Sequence, residues 1–144
     1  MKKQTLTILC AVVFLTNCAN EEAALEINGS YASTGTSHTI SNDSWVQDFG
    51  TFGTYTFNIV SYNNSTNIII AQNGAANGNT ANLFSKINYT DRSADGKFYF
   101  CSAVSNASSI ELAIAATDAD ASNPGTSGCG GFSWSQMTSG TGIN

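Results

Sequence analysis

Apolar residues are distributed in two different ways along this chain. From Thr5 to Thr16 they form one almost unbroken run after the cationic start Met1-Lys2-Lys3. At about a dozen residues the run is too short to cross a hydrocarbon core, which takes about 20 helical residues. From Ile27 onward apolar and polar positions alternate instead. Tyr55, Phe57 and Ile59 alternate with Thr54, Thr56 and Asn58, the period of a strand with one buried face. Asn63-Asn64-Ser65 separates that run from Asn67-Ile68-Ile69-Ile70-Ala71-Gln72, and the Asn-Asn step predicts a hairpin because Asn tolerates the positive φ of tight turns. A second hairpin has Leu83, Ser85, Ile87 and Tyr89 on one strand and Phe98, Phe100 and Val104 on the other, with its turn at Asp95-Gly96. Residues 72–81 form a flexible loop joining the two hairpins. Residues 27–33, 38–46 and 131–137 supply the remaining expected strands.

One segment breaks the β pattern. Ser108-Ser109-Ile110-Glu111 fits a capping box, in which the Ser108 hydroxyl and the Glu111 carboxylate satisfy each other's free backbone donors. Good helix formers follow, so a short helix is expected over 109–117, packed through Ile110 and Ile114. Abundant Asn, Ser and Gly suit turns between short strands. The expected class is all-β, a small antiparallel β-barrel or sandwich with one short helix near the C-terminus. Ile27-Asn28-Gly29-Ser30-Tyr31 resembles the opening strand of lipocalin-like barrels, at five residues only.

The apolar run near the N-terminus reads as a secretory signal, with a charged start, a short apolar middle and a small-residue junction. Leu15-Thr16-Asn17-Cys18 resembles the lipobox of bacterial lipoproteins, in which the Cys is lipidated and becomes the new N-terminus. Asn17 stands where Gly or Ala is usual, a looser junction similar to spirochaetal ones. The competing reading is an ordinary signal peptide cleaved nearby. The expected organisation is a signal peptide over 1–17, a lipidated tether over 18–26 and a single β domain over 27–144.

That organisation sorts the four cysteines. Cys10 lies in the signal and Cys18 would carry lipid, which leaves Cys101 and Cys129. In an exported chain disulfides persist, so these two are expected to be bonded. Charge narrows the partners. Beyond the signal, Lys86, Arg92 and Lys97 face ten acidic residues. A balance near −7 repels phosphate backbones, so no nucleic-acid partner is expected. It equally disfavours adhesion of the protein body to anionic headgroups, leaving the lipid anchor as the contact with the membrane.

No catalytic set is recognisable. His38 is the single histidine, and a Ser-His-Asp arrangement with Asp43 lacks any Gly-x-Ser-x-Gly nucleophile turn. A solvated or hydrogen-bonded strand-end histidine is the expectation. Glu111 has no paired carboxylate of the kind hydrolytic chemistry needs. Asp118-Ala119-Asp120-Ala121-Ser122-Asn123 places oxygens like the first half of a calcium loop, but Asn123 stands at the glycine position and Cys129 at that of the closing Glu. No metal site and no cofactor are therefore expected. Trp45, Trp134 and the tyrosines could form a stacking platform for sugars, although aromatics at alternating strand positions are more often core.

Together with the lipobox, Ile27-x-Gly29-x-Tyr31, His38-Thr39-Ile40, Ile69 to Asn73, Tyr99-Phe100-Cys101, and Asn123-Pro124 through Gly128 to Gly131 resemble a group of small, uncharacterised leptospiral (spirochaetal) outer-membrane lipoproteins. The resemblance implies a lipid-anchored cell-envelope protein at the outer membrane or cell surface, with no defined activity. The functional expectation is a non-enzymatic domain binding an extracellular protein or matrix component. The alternative is a lipocalin-like binder of a small apolar ligand. The interior separates the two: a core filled by Phe57, Ile59, Phe98 and Phe100 favours a protein partner, and an open apolar cavity favours a ligand.

Overall fold

Each strand pairs antiparallel with the next, and the first meets the last, so the sheet closes on itself as a barrel. The computed structural model describes residues 23–140. The expected signal segment, Cys18 and the first part of the expected tether lie outside the described residues. The strands are β1 (Gly29–Ser33), β2 (Thr36–Ile40), β3 (Ser44–Asp48), β4 (Thr54–Asn63), β5 (Ile68–Asn73), β6 (Phe84–Tyr89), β7 (Phe98–Ala107) and β8 (Ser135–Ser139). Alternation points Tyr31, Ile40, Trp45, Phe57, Ile69, Ile87, Phe98 and Met137 into one core. Outward positions carry Ser30, Thr39, Thr54 and Asn58, all exposed. An apolar interior under a polar exterior is the reverse of a barrel that crosses a bilayer with its strands. Among the described residues no helix is long and apolar enough to cross a membrane.

Several expected boundaries are corrected. Residues 38–46 form two strands, because the Ser41 hydroxyl accepts from the Asp43 and Ser44 amides (3.3 and 3.1 Å) while the Ser41 amide donates to the Ser44 carbonyl (2.8 Å). This side-chain bonding turns the chain where sheet pairing would otherwise continue. In the hairpin after β4, positive φ falls on Asn67 (φ 56°), while the Asn63 side chain accepts from the Ser65 and Thr66 amides. Loop 72–81 is tied down: Asn77 accepts from the Thr56 amide and donates to the Thr56 carbonyl (3.0 and 2.8 Å). The final strand starts at Ser135, so Phe132 and Trp134 precede it.

The two ends of the barrel differ. At the end where β1 starts, Leu25 and Ile27 plug the interior. Tyr62 and Asn64 donate to the Ala23 and Ala24 carbonyls (3.0 and 2.9 Å), and the Leu25 amide donates to Asn42 (3.0 Å). The chain thus enters at a closed end. At the opposite end the loop held by Asn77 covers the β4–β5 side, whereas the side of β1, β2, β3 and β8 stays open.

Helix α1 (Ile110–Ala115) lies on the outer face of β5–β7. Its N-cap is Ser109, which accepts from the Leu112 amide at 3.3 Å, one residue later than the expected capping box. The small Ala113 is the residue that is fully buried, with Ile110 packed beside Ile68, Phe84 and Val104; Ile114 and Leu112 are exposed. Irregular register between β6 and β7 shifts the alternation, which places Val104 under the helix and not in the barrel. Cys101, outward on β7, is bonded to Cys129, with Cα atoms 5.7 Å apart. That bond holds the segment between helix and last strand against the barrel wall.

Candidate functional site

The closing seam decides where the barrel is hollow. β1 and β8 pair at two positions, Tyr31 with Ser139 and Ala32 with Thr138. Beyond Ala32 the β1–β2 hairpin runs on through Ser33 and Thr34, while Ser135 and Gln136 pair with β7 alone. A cavity of about 630 Å³ occupies this gap and extends into the open end of the barrel. Inward residues Thr36, His38, Gln47 and Phe100 line its interior part, and Ala32, Gln136 and Thr138 its mouth. Its volume falls within the range of small-molecule sites.

The lining contradicts a purely apolar barrel. Thr36 and His38 alternate with Ser37 and Thr39 at the same inward positions that carry Ile40 deeper down. Gln47 occupies the next inward position after Trp45 on β3. All three polar side chains are buried. The Trp45 Nε1–H donates to His38 Nδ1 at 3.1 Å. That bond requires a lone pair on Nδ1, so the neutral ring carries its proton on Nε2. The Nε2 atom is itself buried and has no hydrogen-bond partner among the described residues. Burial among Trp45 and Phe100 pushes the His38 imidazole down to about 4. At neutral pH His38 is therefore an uncharged N–H donor. It is hydrogen-bonded, as one form of the expectation had it, but it is not solvated and lies within β2, not at a strand end.

Trp134 forms one wall of the cavity. Its Nε1–H donates to the Asp120 carbonyl at 3.1 Å, so only ring carbons of this nearly buried side chain are left to meet the cavity. Gly128 makes this possible: at φ +98° it lies so close to the Asp120 carbonyl and the Trp134 indole that a Cβ would collide with both. The disulfide at the adjacent Cys129 anchors this turn. Two further aromatic residues stand on loops bordering the mouth. Phe52 follows the lining residue Phe49 and is 91% exposed; Phe132 precedes the lining residues Ser133 and Trp134 and is 77% exposed.

The other candidate residues are drawn elsewhere. Trp45 is core, while Trp134 faces the cavity, so they do not form a common platform. The His38 Nδ1 position that an orienting carboxylate would fill in a Ser-His-Asp arrangement is taken by the Trp45 indole. Asp118 pairs with Lys86 at 2.7 Å, and Asp120 accepts from the Ser122 amide at 2.9 Å. Among the described residues no cluster of His, Cys, Asp or Glu could hold a metal ion. Glu111 is exposed near the start of α1. A cavity was expected only in the alternative reading and as an apolar one; its polar lining was not anticipated, although the signal was present as polar residues at the inward positions of two strands. No family model, curated protein or solved structure matches this chain.

Proposed function

We propose that this chain is a lipid-anchored, non-enzymatic domain of the cell envelope that holds a small ligand in the open end of its barrel. The observation that carries the reading is the cavity of about 630 Å³, lined by the Thr36 and Gln47 side chains, which bond no other described side chain, and by the rings of His38, Phe100 and Trp134. The core of Phe57, Phe98 and Ile87 fills the opposite half of the barrel, so the site is a mouth and not a through-channel.

The course of the tether supports an anchored arrangement. Residues 23–25 reach the barrel at its plugged end. Lipid on Cys18 would hold that end toward the membrane and turn the cavity toward the surroundings. Two or three acyl chains, each methylene contributing about 0.8 kcal/mol, make such an anchor stable. Cys18→Ala should abolish metabolic palmitate labelling and release the protein or leave its precursor unprocessed; unchanged labelling would refute the anchor.

The ligand reading is tested separately. The full-length protein, extracted in mild detergent and examined by native mass spectrometry, should carry a co-purifying small mass. Ser135→Trp, which fills the cavity from an exposed lining position, should remove it. Retention of that mass by the filled variant would place the ligand elsewhere. An extracellular protein or matrix partner is the second reading, favoured by the exposure of Phe52 and Phe132 beside the mouth. Replacing both with Ser should then abolish binding of the protein to immobilised matrix proteins and leave the co-purifying mass unchanged.

A further inference from the structure

We infer that the cavity is built for an uncharged, hydroxyl-rich ligand with one apolar face, that is, a neutral saccharide; the inference rests on the ligand-binding reading above. The first argument is charge. In a protein with ten acidic residues, no carboxylate, lysine or arginine lines the cavity. An anionic or cationic ligand would lose its hydration there without gaining a counter-charge, and burying an unpaired ion is costly.

The second argument is the mixture of hydrogen-bonding groups. His38 has its Nδ1 taken by Trp45 and its Nε2 fully buried, so its ring adds no hydrogen-bonding group to the cavity and leaves the polar contacts to Gln47 and Thr36. The Gln47 amide offers two donors and an acceptor, and the Thr36 hydroxyl offers both. No hydrogen bond from another described residue reaches the Gln47 or Thr36 side chain, and both residues are buried against the cavity. Such a set matches hydroxyl groups, which donate and accept at once. It would be left unmatched by a fatty acyl chain, so the structure opposes the small apolar ligand considered from the sequence.

The third argument is the aromatic wall. Trp134 has its N–H occupied by Asp120 and can offer only its ring, and Phe100 and Phe49 line the same space. Sugar rings carry an apolar C–H face beside their hydroxyl edge, and a site with aromatic surface on one side and amide and hydroxyl groups on the other suits both.

The test uses the full-length protein in mild detergent and four probes: cellobiose, N,N′-diacetylchitobiose, digalacturonate and palmitate. Saturation-transfer NMR and calorimetry should detect binding of at least one neutral disaccharide and of neither charged probe. Gln47→Leu keeps the side-chain volume close and should weaken that binding about tenfold or more. It should leave the melting temperature nearly unchanged, since the amide bonds no other described residue. Binding of palmitate or digalacturonate alone would overturn the saccharide assignment and leave the cavity reading standing. Neutral-sugar binding indifferent to Gln47→Leu would overturn the assigned contacts. If no probe binds by about 10 mM while the co-purifying mass persists, the saccharide class fails; if that mass is absent as well, both readings fail.

Discussion

Among single residues, His38 links the fold to pH most directly. Burial lowers its pKa from 6.5 to about 4. The unfolded chain therefore takes up a proton near pH 6.5, whereas the folded chain resists until about pH 4. Stability that is fully present above pH 6.5 is lost as pH falls through that window, because the unfolded state binds the extra proton. The difference is equivalent to roughly 3 kcal/mol. Thermal melts from pH 7 to pH 4 should show a falling Tm, and His38→Phe should flatten that slope. A slope that is unchanged in the variant would show that another group is responsible. Asp118 and Asp120 are held below the usual carboxylate range by hydrogen bonds with Lys86 and Ser122 respectively. Their contribution is present above about pH 4 and is lost at lower pH, so the two effects separate along the titration. From the sequence His38 was expected to have no catalytic role only because no partners were recognisable; its neutrality follows from Trp45 and Phe100, which pack against it across strands.

At the scale of elements, the helix shows how much of a local signal survives packing. Its existence and its place near the C-terminus were legible from Ser108-Ser109-Ile110-Glu111 and the helix formers after it. Its buried face was legible only in part: Ile110 packs as expected, but the position of α1 over β5–β7 brings Ala113, not Ile114, against the sheet. What holds its far end is also non-local. Lys86, outward on β6 and almost fully buried, donates to the Ile114 and Ala116 carbonyls (3.2 and 2.6 Å) and pairs with Asp118 (2.7 Å). A cation there satisfies carbonyls that the helix end leaves free. Asn88, two residues along, accepts from the Ala119 amide at 3.1 Å and donates to Asp118 at 3.2 Å. Lys86→Met should therefore destabilise the protein by about 2–3 kcal/mol, since hydrogen bonds to charged groups contribute about 1.5–3 kcal/mol. Urea denaturation measures it, and Asp118→Asn should cost less, because Asp118 is largely exposed and its pairing is screened by water. Equal losses in the two variants would mean that the ion pair, and not the helix cap, is what matters.

For the whole molecule, barrel closure and the disulfide act together on the site. The bond between Cys101 and Cys129 spans 28 residues of sequence, including α1 and the approach to Trp134. In the chain-entropy account, closing such a loop stabilises by roughly 3–4 kcal/mol. Reduction, or Cys101→Ala with Cys129→Ala, should lower the denaturation midpoint accordingly. It should also loosen the turn at Gly128 and Trp134, raising the acrylamide quenching of tryptophan fluorescence; unchanged quenching would show that the turn holds without the bond. The division of 38–46 into two strands was not legible along the chain, while the two hairpins, the all-β class, the helix and the pair of cysteines available for bonding were. These are properties of short periods and of spacing along one segment, where side-chain direction follows directly from position. That the sheet closes as a barrel and not a sandwich, plugged at one end by Leu25 and Ile27 and hollow at the other, rests on contacts between residues far apart in the chain. The same contacts set His38, Gln47 and Thr36 around a common space with Phe100 and Trp134. Those residues come from four separate stretches of chain, and they meet because β1 and β8 pair over just two positions before the seam opens. Alternation states which face a side chain takes; the register of closure states whether that face finds a packed core or an empty site.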